Sequence, residues 1–345
     1  MSAPRTYRDA GVDVEEAERA VERIAHAAAA TLTPDVLGGV GGFGGLFRFD
    51  PTTHEDPVLV SSTDGVGTKL KVASALGRHD TIGIDLVNAV VNDIVVTGAD
   101  PLFLLDYVGI GDLRADVVDK IVGGVAAACA AIGIPLVGGE TAQLPDVYRG
   151  EDYDLVGFAV GVVARADLID GSRAVAGDIV VGLPSSGLHT NGYTLARGVL
   201  PPATWSRPMP DEARTIGDAL LEPHRSYLDD ARALRRALRA RGGDVRALAH
   251  ITGGGWEGNV PRTLPNGLGV EVEPGSWPVP RIFSLIQASG DIADEEMART
   301  FNLGIGMTAV VPAALTDAAL DAVPDACRIG QVVEPLGDGP RVRFA

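Results

Sequence analysis

Residues 57–70 read Pro57-Val58-Leu59-Val60-Ser61-Ser62-Thr63-Asp64-Gly65-Val66-Gly67-Thr68-Lys69-Leu70. A short apolar run at 58–60 predicts a strand. A carboxylate, two glycines, a hydroxyl and a lysine follow it in close succession. Glycine N–H groups can close on phosphate oxygens, Asp64 suits Mg²⁺, and Lys69 supplies a positive charge. The segment is not a Walker loop, because the Gly-Lys-Ser/Thr ending is missing. It predicts a nucleotide-phosphate site, with a tight Asp-Gly turn as the alternative.

Strands and helices alternate on both sides of this segment. Helical periodicity covers 81–97 and 115–132, and apolar runs at 102–108, 134–137 and 154–163 predict strands. The second half repeats the pattern, with a long arginine-rich helix at 227–241 and strands at 179–183, 269–272, 304–311, 328–333 and 341–344. We expect an α/β (α+β) fold of two mixed-sheet domains. The expected division is an N-terminal arm with a Gly-rich loop at 1–55, an N-terminal domain at 56–168 and a C-terminal α/β domain at 169–345.

Charge and composition exclude several classes of function. The 345 residues include 46 acidic and 29 basic side chains, giving a net charge of −17, and 46% are hydrophobic. The composition argues against disorder, and the charge argues against binding to nucleic acid or to an anionic membrane surface. Only three of the basic residues are lysines; one of them, Lys69, lies in the segment quoted above, and another, Lys71, directly follows that segment. Local phosphate binding is therefore compatible with an acidic chain.

The cysteines and the N-terminus indicate an intracellular protein. Cys129 and Cys327 are far apart, so neither a metal motif nor a disulfide framework is expected. No apolar run follows the charged N-terminus, which argues against a signal peptide. Residues 121–139 carry no charge, but small residues and Pro135 predict a buried helix followed by a strand rather than a membrane span. We expect a cytoplasmic location.

Three carboxylates are candidates for holding Mg²⁺. Asp85, Asn88 and Asn92 recur at helical spacing on one face of an apolar helix, and Asp93 is adjacent. A metal ion shared with Asp64 would give these polar groups partners, and capping or solvent exposure is the alternative. Glu140 follows the strand predicted at 134–137. Carboxylates at 64, 93 and 140 therefore form a candidate magnesium site.

Residues 185–193, Ser185-Ser186-Gly187-Leu188-His189-Thr190-Asn191-Gly192-Tyr193, follow the strand that opens the second half. Hydroxyls, an imidazole and an amide ahead of a helix suit an anion or general acid–base site. A hydrogen-bonded structural histidine is the alternative for His189. A Ser/His/Asp triad is not predicted, because the G-x-S-x-G elbow is absent.

Two segments match the G-x-G-x-x-G pattern of dinucleotide-binding proteins, at 39–44 and at 253–258. The second follows an apolar segment, and Glu273 lies where such a fold keeps a ribose carboxylate. Pro261 cuts the following helix short, and 44 glycines make chance matches easy. An NAD(P) site is therefore a weak alternative.

Taken together, the motifs resemble the phosphoribosylformylglycinamidine cyclo-ligase (aminoimidazole ribonucleotide synthetase) family. The resemblance runs through nearly the whole chain in the order of the family, at residues 7–13, 41–46, 63–70, 78–87, 102–107, 136–142, 150–154, 185–193, 249–255 and 297–307. The superfamily also includes selenophosphate synthetase, thiamine-monophosphate kinase and a hydrogenase-maturation carbamoyl dehydratase.

The resemblance implies a reaction in de novo purine biosynthesis. ATP and formylglycinamidine ribonucleotide would give aminoimidazole ribonucleotide, ADP and phosphate, through phosphorylation of the formyl oxygen and ring closure. The resemblance also implies a role for each matching position. The nucleotide would contact Gly42, Phe43, Gly44, Asp64, Gly65, Gly67, Thr68, Lys69, Asn92 and Asp93. The substrate would contact Ser186, His189, Asn191 and Gly254. The catalytic residues would be His189, Lys69 and Asp64. The Mg²⁺ ligands would be Asp64, Asp93 and Glu140.

The resemblance further implies a homodimer whose N-terminal strands complete a β-barrel. One departure matters: related sequences carry a lysine after Arg-Ile in the first helix, whereas here Arg23-Ile24 is followed by Ala25 and His26. Either Lys69 carries that charge alone, or Arg23 or His26 compensates. Leu303, where relatives often have cysteine, is expected to affect packing only.

The sequence also has to be compared with other functions of the same superfamily. Selenophosphate synthetases often use a cysteine or selenocysteine in the N-terminal arm, and none precedes Cys129. The carbamoyl dehydratase ends in cysteine, whereas this chain ends Arg343-Phe344-Ala345. The missing lysine at Ala25 motivates a non-catalytic nucleotide-binding dimer as the alternative. The sequence leaves the role of His189, the number of metal ions and any monovalent-ion requirement undetermined.

Overall fold

The computed structural model describes residues 7, 12, 14–39, 41–334 and 339–345. Most of the 7–13 segment, and Val40 in the Gly-rich run, lie outside the described residues. The chain folds into two mixed sheets, one in each half, with helices packed against them. The expected α/β class with two mixed sheets is confirmed.

Helix α1, Val14–Ala29, opens the described part of the chain and packs on a later helix, α4. An irregular Gly-rich segment follows it, closed by an isolated bridge between Val36 and Phe47. The Phe47 ring packs against Phe103, with ring centroids 5.2 Å apart. The arm is therefore attached to the first sheet.

The first sheet has the strand order β1-β4-β2-β3. The strands are β1 (Pro57–Gly65), β2 (Asp100–Ile110), β3 (Leu136–Gln143) and β4 (Tyr153–Ala164). β4 is antiparallel to both of its neighbours, and β2 and β3 are parallel. The alternating exposure along β1 marks one buried face and one open face of this sheet.

Three helices cover the buried face and its edge: α2 (Leu70–Leu76), α3 (Ile82–Val95) and α4 (Ala115–Ile132). α3 is almost entirely buried and packs against α4, where Gly83 and Gly124 allow the two backbones to approach closely. α4 ends at Gly133, whose φ of 74° is the left-handed conformation that glycine adopts most easily. The uncharged stretch 121–139 is thus a buried helix end followed by a strand, as predicted.

The second sheet has the order β10-β7-β9-β5-β8-β6. Its strands are β5 (Ile179–Pro184), β6 (Ala247–His250), β7 (Gly269–Val272), β8 (Ile305–Val311), β9 (Cys327–Val333) and β10 (Val342–Phe344). Only the β10–β7 pair is parallel in the part of this sheet that the structure describes. The central strands β5 and β8 are buried along nearly their whole length.

Seven helices flank the second sheet among the described residues: α5 (Tyr193–Val199), α6 (Ile216–Leu220), α7 (Leu228–Arg239), α8 (Gly255–Asn259), α9 (Arg281–Gly290), α10 (Asp294–Thr300) and α11 (Thr316–Ala322). Across the described ranges, every helix is too short or too polar to cross a bilayer. The arginine-rich α7 exposes most of its charges and buries Leu228, Ala231, Leu234 and Leu238.

Two boundaries differ from the sequence prediction in ways that affect the site. β1 continues through Ser61–Asp64 to Gly65, and β3 continues through Gly138 to Gln143. Asp64 and Glu140 therefore lie within strands instead of just after them. Backbone pairing with neighbouring strands holds these polar residues extended despite their low strand propensity.

Candidate functional site

The Asp-Gly pair is the end of β1, and the chain turns directly after it. The N–H of Gly65 donates to Asp64 Oδ1 at 2.7 Å, and the N–H of Val66 donates to the Leu155 carbonyl at 3.2 Å. Gly67 has a φ of 68° and opens a single 3₁₀ turn, Gly67–Lys69, that leads directly into α2. The chain therefore turns after Gly65, and Asp64 and Thr68 lie on either side of this point.

Lys69 points into the protein. Its side chain is fully buried, and its Nζ donates to Asp85 Oδ1 at 2.8 Å and to the Glu222 carbonyl at 2.7 Å. A longer contact of 3.4 Å reaches the His189 carbonyl. These partners correct the predicted direct contact of Lys69 with a triphosphate, because the ammonium does not face solvent. Lys71 is exposed and forms an ion pair with Asp152.

Burial opposes both charges of the Lys69–Asp85 pair. Desolvation raises the pKa of Asp85 to about 6 and lowers the pKa of Lys69. Asp85 Oδ1 also accepts from the N–H of His224 at 2.7 Å, which favours the ionised carboxylate. This pair joins α3 to the segment that follows α6.

The polar face of α3 binds backbone from the second half of the chain. Asn88 Nδ2 donates to the His224 carbonyl at 2.6 Å. Asn92 Nδ2 donates to the Arg225 carbonyl at 2.9 Å, and Asn92 Oδ1 accepts from the N–H of Tyr227 at 2.9 Å. Asn88 and Asn92, which were expected to need a metal ion, or to cap or face solvent, are satisfied by residues 224–227. Asn92 is fully buried in this contact and does not face a cleft as the predicted nucleotide contact requires.

Asp64 and Asp93 converge at the end of this interface. Ser62 and Asp64 share one face of β1, and Ser62 Oγ donates to Asp93 Oδ2 at 3.4 Å. Burial raises the pKa of Asp64, and the nearby charge of Asp93 raises it further. Two carboxylates in mutual repulsion at a half-buried position form an electrostatic environment that favours a bound cation.

Glu140 does not join these two carboxylates within one chain. The pairing register aligns Glu140 with Tyr107, Val156 and Gly65, three strand spacings of about 4.8 Å away, or roughly 14 Å. Paired residues in neighbouring strands point to the same face, so Glu140 lies on the open face, whereas Asp64 lies on the helical face. Within one chain the structure therefore separates Glu140 from Asp64 and Asp93, because Asp64 and Glu140 lie within strands and not just after them.

Three buried histidines lie next to Asp93. Ring nitrogens of His189, His224 and His250 all lie within 4.8 Å of one another. His189 stacks on His224 with ring centroids 3.9 Å apart, and His250 Nδ1 contacts Asp93 Oδ1 at 2.9 Å. Stacked rings direct their lone pairs in parallel, so this arrangement suits hydrogen bonding better than joint coordination of one ion.

His189 is a neutral imidazole in this environment. Burial lowers its pKa well below the usual value, and the positive charges of nearby groups lower it further. The N–H of Ser186 donates to Nε2 at 3.2 Å, so the ring proton is on Nδ1, which has no partner among the described residues. His189 also has a φ of 61°, a conformation that is costly for a residue with a β-carbon.

His224 and His250 form a hydrogen-bonded chain to Asp93. The backbone contacts of Asn92 fix its amide so that an N–H faces His224 Nε2 at 3.2 Å. His224 Nε2 is therefore an acceptor, and His250 Nε2, at 3.0 Å, donates to it. His250 Nδ1 contacts Asp93 Oδ1 at 2.9 Å at the end of this chain.

The other predicted substrate contacts surround this cluster. Ser186 Oγ donates to the Pro223 carbonyl at 2.5 Å, and Asn191 Oδ1 lies beside Gly253. Gly254 has a φ of 89° and precedes α8. The segments 185–193 and 252–255 therefore meet at the histidines.

The predicted nucleotide contacts at Gly42, Phe43 and Gly44 lie away from this cluster. The Phe43 side chain is fully exposed, and neighbouring arm residues pack on Val137 and Phe103 of the first sheet. The structure does not bring these three residues together with Asp64.

Two clefts open beside the cluster. One, of about 640 Å³, includes Thr68, Thr190, Asn191, Tyr193 and Thr300 among its lining residues. The other, of about 320 Å³, lies on the side of Asp93 and His250; we call it the hydroxyl cleft, and it is lined by Val60, Ser61, Ser62, Asp93, Val96, Thr97, Leu248, Ala249, His250, Thr252, Asn259, Arg262 and Thr263. Both clefts lie where the two halves of the chain meet.

Sequence reasoning missed His224, His250 and Arg262. His250 ends the apolar strand β6, the same placement that drew attention to Asp64, so this signal was available. His224 lies in an irregular segment without a motif. The G-x-G-x-x-G match at 253–258 follows β6. However, α8 has only five residues, and β6 pairs antiparallel with β8. The parallel strand–helix–strand unit of a dinucleotide fold is therefore absent from this described region.

Two family models match the chain. The one described as "AIR synthase related protein, N-terminal domain" covers residues 45–163, and the one described as "AIR synthase related protein, C-terminal domain" covers residues 175–342. A relative from Anaeromyxobacter sp. (strain Fw109-5) is 51% identical over 96% of this chain and 97% of its own length. A relative from Sorangium cellulosum (strain So ce56) is 50% identical over 97% of each chain. Both are named phosphoribosylformylglycinamidine cyclo-ligase.

Solved structures share the fold at low sequence identity. The hydrogenase maturation protein HypE of E. coli has a TM-score of 0.65 at 20% identity, covering 95% of this chain and 93% of its own. A HypE in complex with ATP has a TM-score of 0.64 at 18% identity, covering 99% and 91%. A thiamine-monophosphate kinase from Stenotrophomonas maltophilia K279a has a TM-score of 0.62 at 19% identity, covering 94% and 95%.

Proposed function

The chain belongs to the AIR synthase related family and, within it, to the phosphoribosylformylglycinamidine cyclo-ligases, and from this premise we propose how its residues perform the reaction. The reaction of the family is the ATP-dependent conversion of formylglycinamidine ribonucleotide to aminoimidazole ribonucleotide in purine biosynthesis. The formyl oxygen takes the γ-phosphoryl group of ATP, a nitrogen of the amidine side closes the ring, and phosphate leaves. The convergence of Asp64 and Asp93 with three histidines between the two halves of the chain carries the assignment of the site.

Mg²⁺ fits the donors at this site. Asp64 and Asp93 offer oxygen ligands, and their mutual repulsion would be relieved by a divalent cation. We assign Asp64 and Asp93 as its ligands and leave Glu140 out, because it faces the other side of the sheet. When bound, the ion would neutralise the charge of the transferred phosphoryl group.

ATP would bind along the turn at 65–68. The N–H groups of Gly65 and Gly67 and the hydroxyl of Thr68 are donors suited to phosphate oxygens. The related HypE in complex with ATP supports a nucleotide site on this fold. Phe43 and its flanking glycines are free to close over the nucleotide, because the aromatic side chain contacts solvent on every side.

His189 would donate a hydrogen bond to the substrate from Nδ1. This N–H is buried, it has no partner among the described residues, and it belongs to a ring that stays neutral. A neutral donor stabilises negative charge that develops on an oxygen without repelling the magnesium ion. Lys69 would act through its contact with the His189 carbonyl, and we assign it as a positioning residue.

The open face of the first sheet supports the proposed homodimer. Leu59 is 62% exposed and Phe158 is 42% exposed on this face, and neighbouring apolar side chains continue the patch. Exposed contiguous apolar surface of this kind indicates a protein interface. We propose that two such faces close into a barrel. We also keep the division of the chain at about residue 168, and we place the enzyme in the cytoplasm.

Purified protein with ATP, Mg²⁺ and formylglycinamidine ribonucleotide tests this function. We expect ADP release to depend on the ribonucleotide and one imidazole product to form for each ADP. ATP binding without substrate-dependent ADP release would instead identify a non-catalytic nucleotide-binding dimer. That alternative has one supporting observation: Arg23, the nearest candidate to replace the family lysine, is engaged with Asp119 at 3.6 Å.

A further inference from the structure

The hydroxyl cleft is lined by hydroxyl groups that the mechanism above does not use. Ser61, Ser62 and Thr97 come from the first half of the chain, and Thr252 and Thr263 come from the second. Four of these hydroxyls already donate to protein oxygens and would have to turn toward an oxyanion, whereas the Ser61 hydroxyl can donate to one directly. Asp93 and His250 mark the end of this cleft that is nearest to the reacting groups.

Arg262 supplies positive charge to this cleft. It has no carboxylate within salt-bridge distance in the described part of the chain, and its one side-chain contact there is Nη1 donating to Asn259 Oδ1 at 3.3 Å. Among the described residues that line either cleft, Arg262 alone carries a permanent positive charge. A guanidinium with free N–H groups is well matched to the geometry of a phosphate.

Asn259 connects Arg262 to the segment 252–255 through hydrogen bonds. Asn259 is buried, and its Nδ2 donates to the carbonyls of Thr252, Gly253 and Gly255 at 3.3, 3.2 and 2.7 Å. Its Oδ1 accepts from Thr252 Oγ1 at 3.2 Å as well as from Arg262. Asn259 thus connects the segment 252–255, the Thr252 hydroxyl and the Arg262 guanidinium.

We propose that the hydroxyl cleft binds the phosphate monoester of the ribonucleotide substrate, with Arg262 as its anchor. This inference rests on the proposed function, in which the substrate is a ribonucleotide. The volume of about 320 Å³ suits a sugar phosphate better than a whole nucleoside triphosphate, because it lies at the lower end of the range for ligand clefts. The triphosphate of ATP is assigned to the Asp64–Thr68 turn, where metal-binding carboxylates are present.

Calorimetric titration of ribose 5-phosphate, and kinetics with ribonucleotide and with the ribonucleoside that lacks the phosphate, test this proposal. In Arg262→Gln we expect the KM for the ribonucleotide to rise by about 10- to 100-fold, because a charge-assisted bond to phosphate is lost. The KM for ATP should stay within about 3-fold. The preference for ribonucleotide over ribonucleoside should collapse by a similar factor. Arg236→Gln, which changes an exposed arginine on α7, is the matched control.

An unchanged ribonucleotide preference in Arg262→Gln would overturn the proposal, and so would a rise in the KM for ATP alone. Arg262→Lys should restore part of the ribonucleotide affinity, which separates charge from folding. If the wild-type protein shows no turnover, the proposed function fails, but loss of ribose 5-phosphate binding in Arg262→Gln would still support the cleft. Equal binding of ribose 5-phosphate by both proteins would reject it.

Discussion

At the scale of single residues, we expect the substitution of Asp64 to have the largest effect on the reaction. Asp64→Asn keeps the shape of the side chain but removes the charge that would hold a cation and align the triphosphate. We expect kcat to fall by at least about 10²-fold while the fold is retained. Steady-state ADP release measures this, with Asp321→Asn on the exposed side of α11 as the control. Wild-type turnover in Asp64→Asn would contradict the metal assignment.

Asp106 is a buried carboxyl that the reaction does not use. Burial raises its pKa from 3.8 to about 7, and its Oδ2 has no partner among the described residues. Its Oδ1 also lies where a β-carbon at Gly139 would be, 1.9 Å away, so residue 139 must be glycine. The folded protein therefore favours the neutral acid.

The pH dependence follows from the direction of this shift. Because the folded pKa is raised, the stability that Asp106 contributes is fully present below pH 3.8 and is lost as pH rises through about 7. Asp106→Asn cannot ionise, so its free energy of unfolding relative to wild type should increase by roughly 2–4 kcal/mol between pH 4 and pH 8. Denaturant titrations of both proteins across this range measure the difference. A pH-independent difference would show that Asp106 ionises normally in the fold.

At the scale of elements, Lys69 joins the start of α2 to α3 and to the segment after α6. Lys69→Met would leave Asp85 buried without its cation, which costs about 3–5 kcal/mol for pairs of this kind. The double variant Lys69→Met, Asp85→Asn should recover part of that loss, because the unpaired charge is gone. Urea unfolding of the single and double variants measures the coupling. Additive losses would indicate that the ion pair is not formed.

β8 supports the histidine cluster through a glycine. A β-carbon at Gly306 would lie 2.1 Å from Tyr227 Oη and 2.4 Å from His189 Cε1. Gly306→Ala should therefore displace the His189 ring and lower kcat by about 10-fold or more, since small misplacements of this size are costly in catalysis. Gly123→Ala on α4 is the control, because nothing lies within 4 Å of its β-carbon. Equal activities of the two variants would remove His189 from the mechanism.

The elements were predictable to different degrees. α4 and β7 have the predicted bounds, because their apolar periodicity ends at clear Gly and Pro signals. β1 and β3 were predicted too short, since pairing with β4 and β2 overrides the low strand propensity of their polar ends. That error in β3 placed Glu140 near Asp64, which the sheet order excludes.

The candidate site was predictable where a motif lies at the end of an element, as for Asp64, Asp93 and His189. It was not predictable where distant segments meet. Lys69 looked like a phosphate ligand because its partners, Asp85 and the carbonyls of residues 189 and 222, are far away in sequence. His224 and Arg262 became visible only through contacts between the two halves.

At the scale of the whole molecule, the open face of the first sheet predicts the oligomeric state. Phe158→Asp would place a charge in the centre of the proposed interface, and we expect it to shift the protein from dimer to monomer. Sedimentation velocity measures this, with Val279→Asp, an exposed apolar position in the second half, as the control. An unchanged dimer in Phe158→Asp would place the interface elsewhere.

The net charge of −17 is also a property of the whole molecule. This charge disfavours the binding of polyanions. Of the positive groups near the site, Lys69 is buried and Arg262 lies in the hydroxyl cleft. An acidic surface with these two local cations and the proposed metal ligands Asp64 and Asp93 would be compatible with small phosphorylated ligands. If the proposed site is correct, phosphate would be selected by local geometry and not by the overall field of the protein.

In the proposed reaction, this site activates the formyl oxygen by phosphorylation before ring closure. Substrate labelled with ¹⁸O at the formyl oxygen tests it in one measurement, by mass spectrometry of the phosphate released with ATP. We expect each phosphate to carry the labelled oxygen, because the bond from oxygen to carbon breaks as the ring closes. Unlabelled phosphate formed at the same rate as the imidazole product would contradict it.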